Sequence, residues 1–146
     1  MRLTPVFTLL VLIAATPLHG WDFSVTPICT LAHATDDSKL RVTYDPYVQE
    51  YAIMLTSNST AWPDAPVFTL RFEGPRSHKI STTRHRLNHD RTTLTVTDTG
   101  FGNVLDGLEF NDTATAIVGA KKVTVPLSGA AASVREFRAC ADASLA

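Results

Sequence analysis

The sequence predicts a mainly β fold, an antiparallel sandwich or a strongly bent sheet, with one short internal helix and a second helix towards the C-terminus. Two observations carry that expectation. Apolar residues recur at every second position in short runs that stop at turn residues, and helical spacing takes over only in two late segments.

Leu40, Val42 and Tyr44 alternate with Arg41 and Thr43 before the turn Asp45-Pro46. Ile53 and Leu55 alternate before Ser57-Asn58-Ser59, and Phe68, Leu70 and Phe72 alternate with Thr69 and Arg71 before Gly74-Pro75. Leu94 and Val96 stand among threonines, and Val123, Val125 and Leu127 close the series. Period two with β-branched enrichment marks half-buried strands, and its repetition at short intervals marks stacked or bent antiparallel sheets. The short helix is expected near 104–110 (VLDGLEF), with Asn103 as its cap and Asp106 completing a capping-box-like pair. The last helix is expected near 129–141, capped by Ser128, with Ala130, Val134, Phe137 and Ala141 on one buried face.

Residues 1–20 have the layout of a secretory signal peptide. Arg2 supplies the positive start, Val6 to Ala15 is apolar except for Thr8, and the run ends in Thr16-Pro17-Leu18-His19-Gly20. That run falls short of the roughly 20 apolar residues of a spanning helix. Cleavage after Gly20 leaves a single domain, 21–146, with no membrane span, in the periplasm or secreted. Thirteen Lys and Arg stand against fourteen Asp and Glu, a balance that excludes wholesale binding of a polyanion such as nucleic acid. The two cysteines, Cys29 and Cys140, lie at opposite ends of that domain, and in an oxidising compartment they pair. No second thiol stands at ligand spacing beside either one, so the bridge reads as structural and neither metal nor cofactor is expected.

Several segments carry a resemblance. Trp21 and Ile28-Cys29-Thr30-Leu31 near the start, Thr97 to Leu108 in the middle, and Val125 to Gly129 with Phe137-Arg138-Ala139-Cys140 near the end are the residues concerned. On these the chain resembles a set of small exported bacterial proteins of unknown function, some of them automatically named after an excision-repair subunit. The chain has no phosphate-binding Gly-Lys-Ser loop that would fit such a name. In pattern it is more distantly similar to the periplasmic invasion-associated protein B family, which implies a β fold with one terminal helix and offers no catalytic residues to carry over.

The most suggestive stretch for function is 71–91. Arg71, Arg76, Lys79, Arg84, Arg86 and Arg91 face only Glu73 and Asp90 there, and His78, His85 and His89 lie among them. If these side chains share a face, they form a basic patch for an anionic glycan, a lipid surface or an envelope protein. If the stretch is strand, alternation splits them between two faces. His85 and His89 stand four apart beside Asp90, the best basis for a metal or enzyme site, yet Arg84, Arg86 and Arg91 oppose a dication. Ser81 with His85 and Asp90 or Asp98 is the best nucleophilic set, without the Gly-x-Ser-x-Gly elbow. Phe101 between two glycines and Trp62 before Pro63 are either interface anchors or lids on the core. Asn58 and Asn111 begin Asn-x-Thr sequons, which matter only in a eukaryotic secretory path.

The leading expectation is therefore a non-enzymatic domain that binds a macromolecular or anionic partner through 71–91. The second is an inhibitor or chaperone of an envelope hydrolase acting through the 99–103 loop. The third is an enzyme around His85, His89 and Asp90.

Overall fold

A computed structural model describes residues 20–145; the signal-peptide reading falls almost entirely on residues 1–19, outside the described residues. The described residues open with a meander of four antiparallel strands: β1 (Asp22–Ser24), β2 (Cys29–Ala34), β3 (Ser38–Asp45) and β4 (Glu50–Ser57). It crosses to a second sheet for β5 (Phe68–Glu73) and β6 (His78–Thr82), then returns for β7 (Arg86–Leu87) and β8 (Thr93–Asp98). Helix α1 (Gly102–Phe110) leads to β9 (Thr113–Val118) and β10 (Lys121–Pro126) in the second sheet, and α2 (Ala130–Leu145) follows. The six-stranded sheet has the order β1-β2-β3-β4-β8-β7 and the four-stranded sheet β10-β9-β5-β6.

The mainly β fold follows from the alternation. Leu40, Val42 and Tyr44 of β3, Ile53 and Leu55 of β4, and Leu94 and Val96 of β8 point to one side of the first sheet. Phe68, Leu70 and Phe72 of β5 meet them from the second, and both sets belong to one core. Register sets large against small in the second sheet. Leu70 pairs with Ala116, and Phe72 with Ala114. The space this leaves is taken by α1, whose Gly107 lies on the Phe72 ring so closely that an added Cβ would sit 2.3 Å from it.

Both helices start differently from expectation. The α1 cap is Phe101, whose carbonyl accepts from Leu105 N at 2.9 Å, while Asn103 and Asp106 lie inside the helix. The burial of the Phe101 ring against Tyr51, centroids 5.4 Å apart, decides the point of entry in place of a side-chain cap. Ser128 does not cap α2. It forms a turn with Gly129 (φ 79°), across which Ala130 N donates to Leu127 O at 3.0 Å. The expected stripe of Ala130, Val134, Phe137 and Ala141 is buried.

Cys29 and Cys140 form a disulfide with Cα atoms 5.9 Å apart. It fastens α2 to the start of β2, beside a hydrogen bond from Ser133 Oγ to Trp21 O at 3.2 Å. Arg138 joins α2 to α1 through Asp106 at 2.6 Å and Glu109 at 3.2 Å.

Two expected outcomes follow. Cys140→Ser should lower unfolding stability by about 2–5 kcal/mol and open Arg135–Leu145 to protease first, with reductant reproducing the loss in the wild type but adding nothing to the variant. Gly107→Ala should cost about 1–3 kcal/mol by overpacking, measured by urea unfolding, because the added Cβ would sit 2.3 Å from the buried Phe72 ring.

Candidate functional site

The cations of 71–91 do not share one face. Arg71 and Lys79 are cross-strand neighbours on the outer side of the four-stranded sheet, with Arg71 Nε 2.9 Å from Glu73 Oε1. Arg76 lies over the Phe110 ring, 4.0 Å from its centroid. Arg84 leaves the second sheet and pairs with Asp98 at 2.9 Å, while Arg86 sits in β7 opposite Thr95 on the first sheet. Arg91 occupies the β7–β8 turn with φ 57°, where its carbonyl accepts from Trp62 N at 2.7 Å.

The histidines are equally dispersed. The His85 ring tilts against Phe68 and its Nε2 donates to Ala65 O at 3.0 Å, whereas His89 is exposed in the β7–β8 turn. Asp90 is occupied locally, accepting from Thr92 Oγ1 at 2.7 Å, and the Thr92 hydrogen bonds hold its carboxyl below the ordinary range. Ser81 bonds Thr69 Oγ1 at 2.8 Å across the sheet and does not meet His85. His78 is tied to the Arg76 and Asn103 carbonyls, both at 3.0 Å. Among the described residues no group of three or more His, Cys, Asp or Glu is placed to hold a metal.

Trp62 is fully buried, its Nε1 donating to Leu55 O at 3.1 Å. Lys121 covers it from 5.1 Å while bonding Ser57, Thr60 Oγ1 and Thr60 O, and burial lowers the pKa of that ammonium. Phe101 is 5% exposed. Both aromatics are lids on the core. Asn111 is likewise consumed: its amide bonds Arg76 N and O at 3.0 Å and Gly107 O at 3.1 Å, which leaves no free nitrogen for a glycan.

Two neighbouring concavities share Gly100-Phe101-Gly102 as a wall. The first, about 340 Å³, opens between the sheets and is lined by Ile53, Phe68, Leu70, Val96 and Phe101 with Arg84 and Asp98. Asp98 is held below the ordinary carboxyl range by the Thr99 amide and then by Arg84. The second, about 470 Å³, lies at the end of the sandwich among Tyr44, Tyr51, Phe101, Arg138 and Asp142. Tyr44 is 1% exposed, and its hydroxyl has no hydrogen-bond partner among the described residues.

The rim of this second cavity is apolar, and the sequence reading missed it. Val48 and Leu145 line the cavity and Tyr47, 91% exposed, adjoins Val48. Val25 lies just beyond, where the β1–β2 turn meets Pro46 and the end of α2. These four are all but one of the exposed large hydrophobic residues among those described, Val67 being the other. Comparison with protein-family models, curated proteins and solved structures finds no match for this chain.

Burial raises the Tyr51 pKa above its ordinary 10.0, and the neighbouring Tyr44 and Asp142 add to the effect. The folded state therefore holds that proton longer than the unfolded chain. Its contribution to stability is complete below the unfolded value and is lost as pH rises through the folded one. Urea unfolding between about pH 9 and 11 should show an alkaline fall that Tyr51→Phe makes shallower.

Proposed function

We propose that this chain is a non-enzymatic binding domain that docks a protein partner on the end of the sandwich formed by the β1–β2 turn, the β3–β4 turn and the end of α2. The observation that carries the reading is a cavity lined by Val48, Leu145 and the buried Tyr44, with the exposed Tyr47 next to Val48 in the chain and the exposed Val25 lining the concavity beside Pro46 and the end of α2. Scattered exposed hydrophobics are ordinary, whereas a contiguous group with a polar border marks an interaction surface. Tyr47 has the side chain and exposure of an interface anchor, and the cavity beside it accepts a side chain in return.

The surrounding charge favours a protein over an anionic membrane. Asp45, Glu50 and Asp142 border the patch, with Arg138 already committed to Asp106 and Glu109. A partner with an apolar centre and a basic rim complements it. The scattering of the 71–91 cations supports this end over a basic face as the docking surface, and the burial of Phe101 supports its role as wall rather than plug.

The test uses the processed protein as bait on envelope extract, followed by titration of each captured protein in purified form. A partner on this surface should lose about tenfold or more in affinity for a Tyr47→Ser/Val48→Ser double variant that retains wild-type thermal stability. Equal binding of wild type and double variant by every captured protein would overturn the reading.

A further inference from the structure

The cleft between the sheets is a separate feature. Protein cores pack with few voids larger than a water molecule, yet about 340 Å³ lies open among apolar side chains from both sheets. Topology explains why it stays open on this side. β6 is the last strand of its sheet, and β7 pairs only with Thr95 and Leu94 of β8, so Val96–Asp98 has no strand beyond it.

Its mouth is polar. Arg84 lies on the segment that crosses between the sheets, its backbone N anchored to Thr82 Oγ1 at 3.0 Å. Its partner Asp98 is the one carboxylate lining the cleft and already accepts from Thr99 N at 2.7 Å. The Arg84–Asp98 pair is exposed on both sides, so exchanging one carboxylate for another costs little. The first turn of α1 also borders the cleft, and the amides of Gly102, Asn103 and Val104 make no hydrogen bond within the described residues. No acidic side chain occupies that turn, so the helix end adds positive potential at the same mouth.

We propose that this cleft binds a single-chain anionic amphiphile, its acyl chain lying between Ile53, Leu70, Val96 and Phe101 and its carboxylate meeting Arg84. Dispersion and apolar burial hold the chain, and the head group displaces Asp98 from the guanidinium. About 340 Å³ holds one short acyl chain and not the paired tails of a phospholipid, so a monomeric acyl carboxylate is the ligand class.

Decanoate, decanol, decyltrimethylammonium and phosphatidylglycerol vesicles serve as probes on the processed, disulfide-bonded protein, read by methyl NMR. Decanoate should shift the methyl signals of Ile53, Leu70, Ile80 and Val96, bind about tenfold more tightly than decyltrimethylammonium, and raise the melting temperature. Arg84→Gln should weaken decanoate about tenfold and leave decanol unchanged. Ile80→Trp, at the half-buried edge of the cleft, should block all three single-chain probes without unfolding the protein. The proposal is overturned by the absence of methyl shifts with any single-chain probe, by decanoate binding indifferent to Arg84, or by binding to vesicles alone.

Discussion

Helix α2 has no stable existence of its own, and the cavity at the end of the sandwich depends on where it is held. Sixteen residues with a single apolar stripe are marginal as an isolated helix. Three different forces fix it. Apolar burial places Phe137 beneath the end of the sandwich, where it tilts against Tyr51 at 6.3 Å. The Cys29–Cys140 bond denies the unfolded chain the freedom to separate residues 111 positions apart. The Arg138 pairs bind it to α1, and α1 in turn is positioned by Gly107 on Phe72. Remove α2, and the Tyr44 cavity loses Arg138, Asp142 and Leu145, its whole outer wall.

The second sheet shows how a chain with little helix propensity in its middle still seats a helix. Ala114 and Ala116 are poor strand formers that contribute small side chains opposite Phe72 and Leu70. A bulkier β9 would fill the layer and force α1 outward. With α1 displaced, Phe101 could not reach Tyr51, and the wall between the two cavities would not form.

This arrangement explains what the sequence disclosed. Strands built on bulky alternation, such as Leu40-Val42-Tyr44 and Phe68-Leu70-Phe72, were legible because large apolar side chains dominate the pattern. β9 was not, since alanine signals neither strand nor core, and β6 offers only Ile80 among polar neighbours. The bridge was legible because two thiols have one way to pair. The face of each cation in 71–91 was not, because the segment changes sheets between Thr82 and Arg86 and alternation restarts there. The apolar end was the least legible feature. Val25, Tyr47, Val48 and Leu145 lie in three separate segments, each unremarkable alone, and only the register that pairs Cys29 with Tyr44 brings their turns together.

The wall shared by the two cavities rests on Phe101. Phe101 is buried between them, but the glycines on either side are not demanded by a left-handed backbone or by a close contact, since an added Cβ at Gly100 or Gly102 would meet open space. Phe101 is held by packing: its ring stacks on Tyr51 with centroids 5.4 Å apart, and its carbonyl accepts from Leu105 N at 2.9 Å. The residue that divides the two cavities is thus also the residue on which α1 starts, so wall and helix are fixed by one set of contacts.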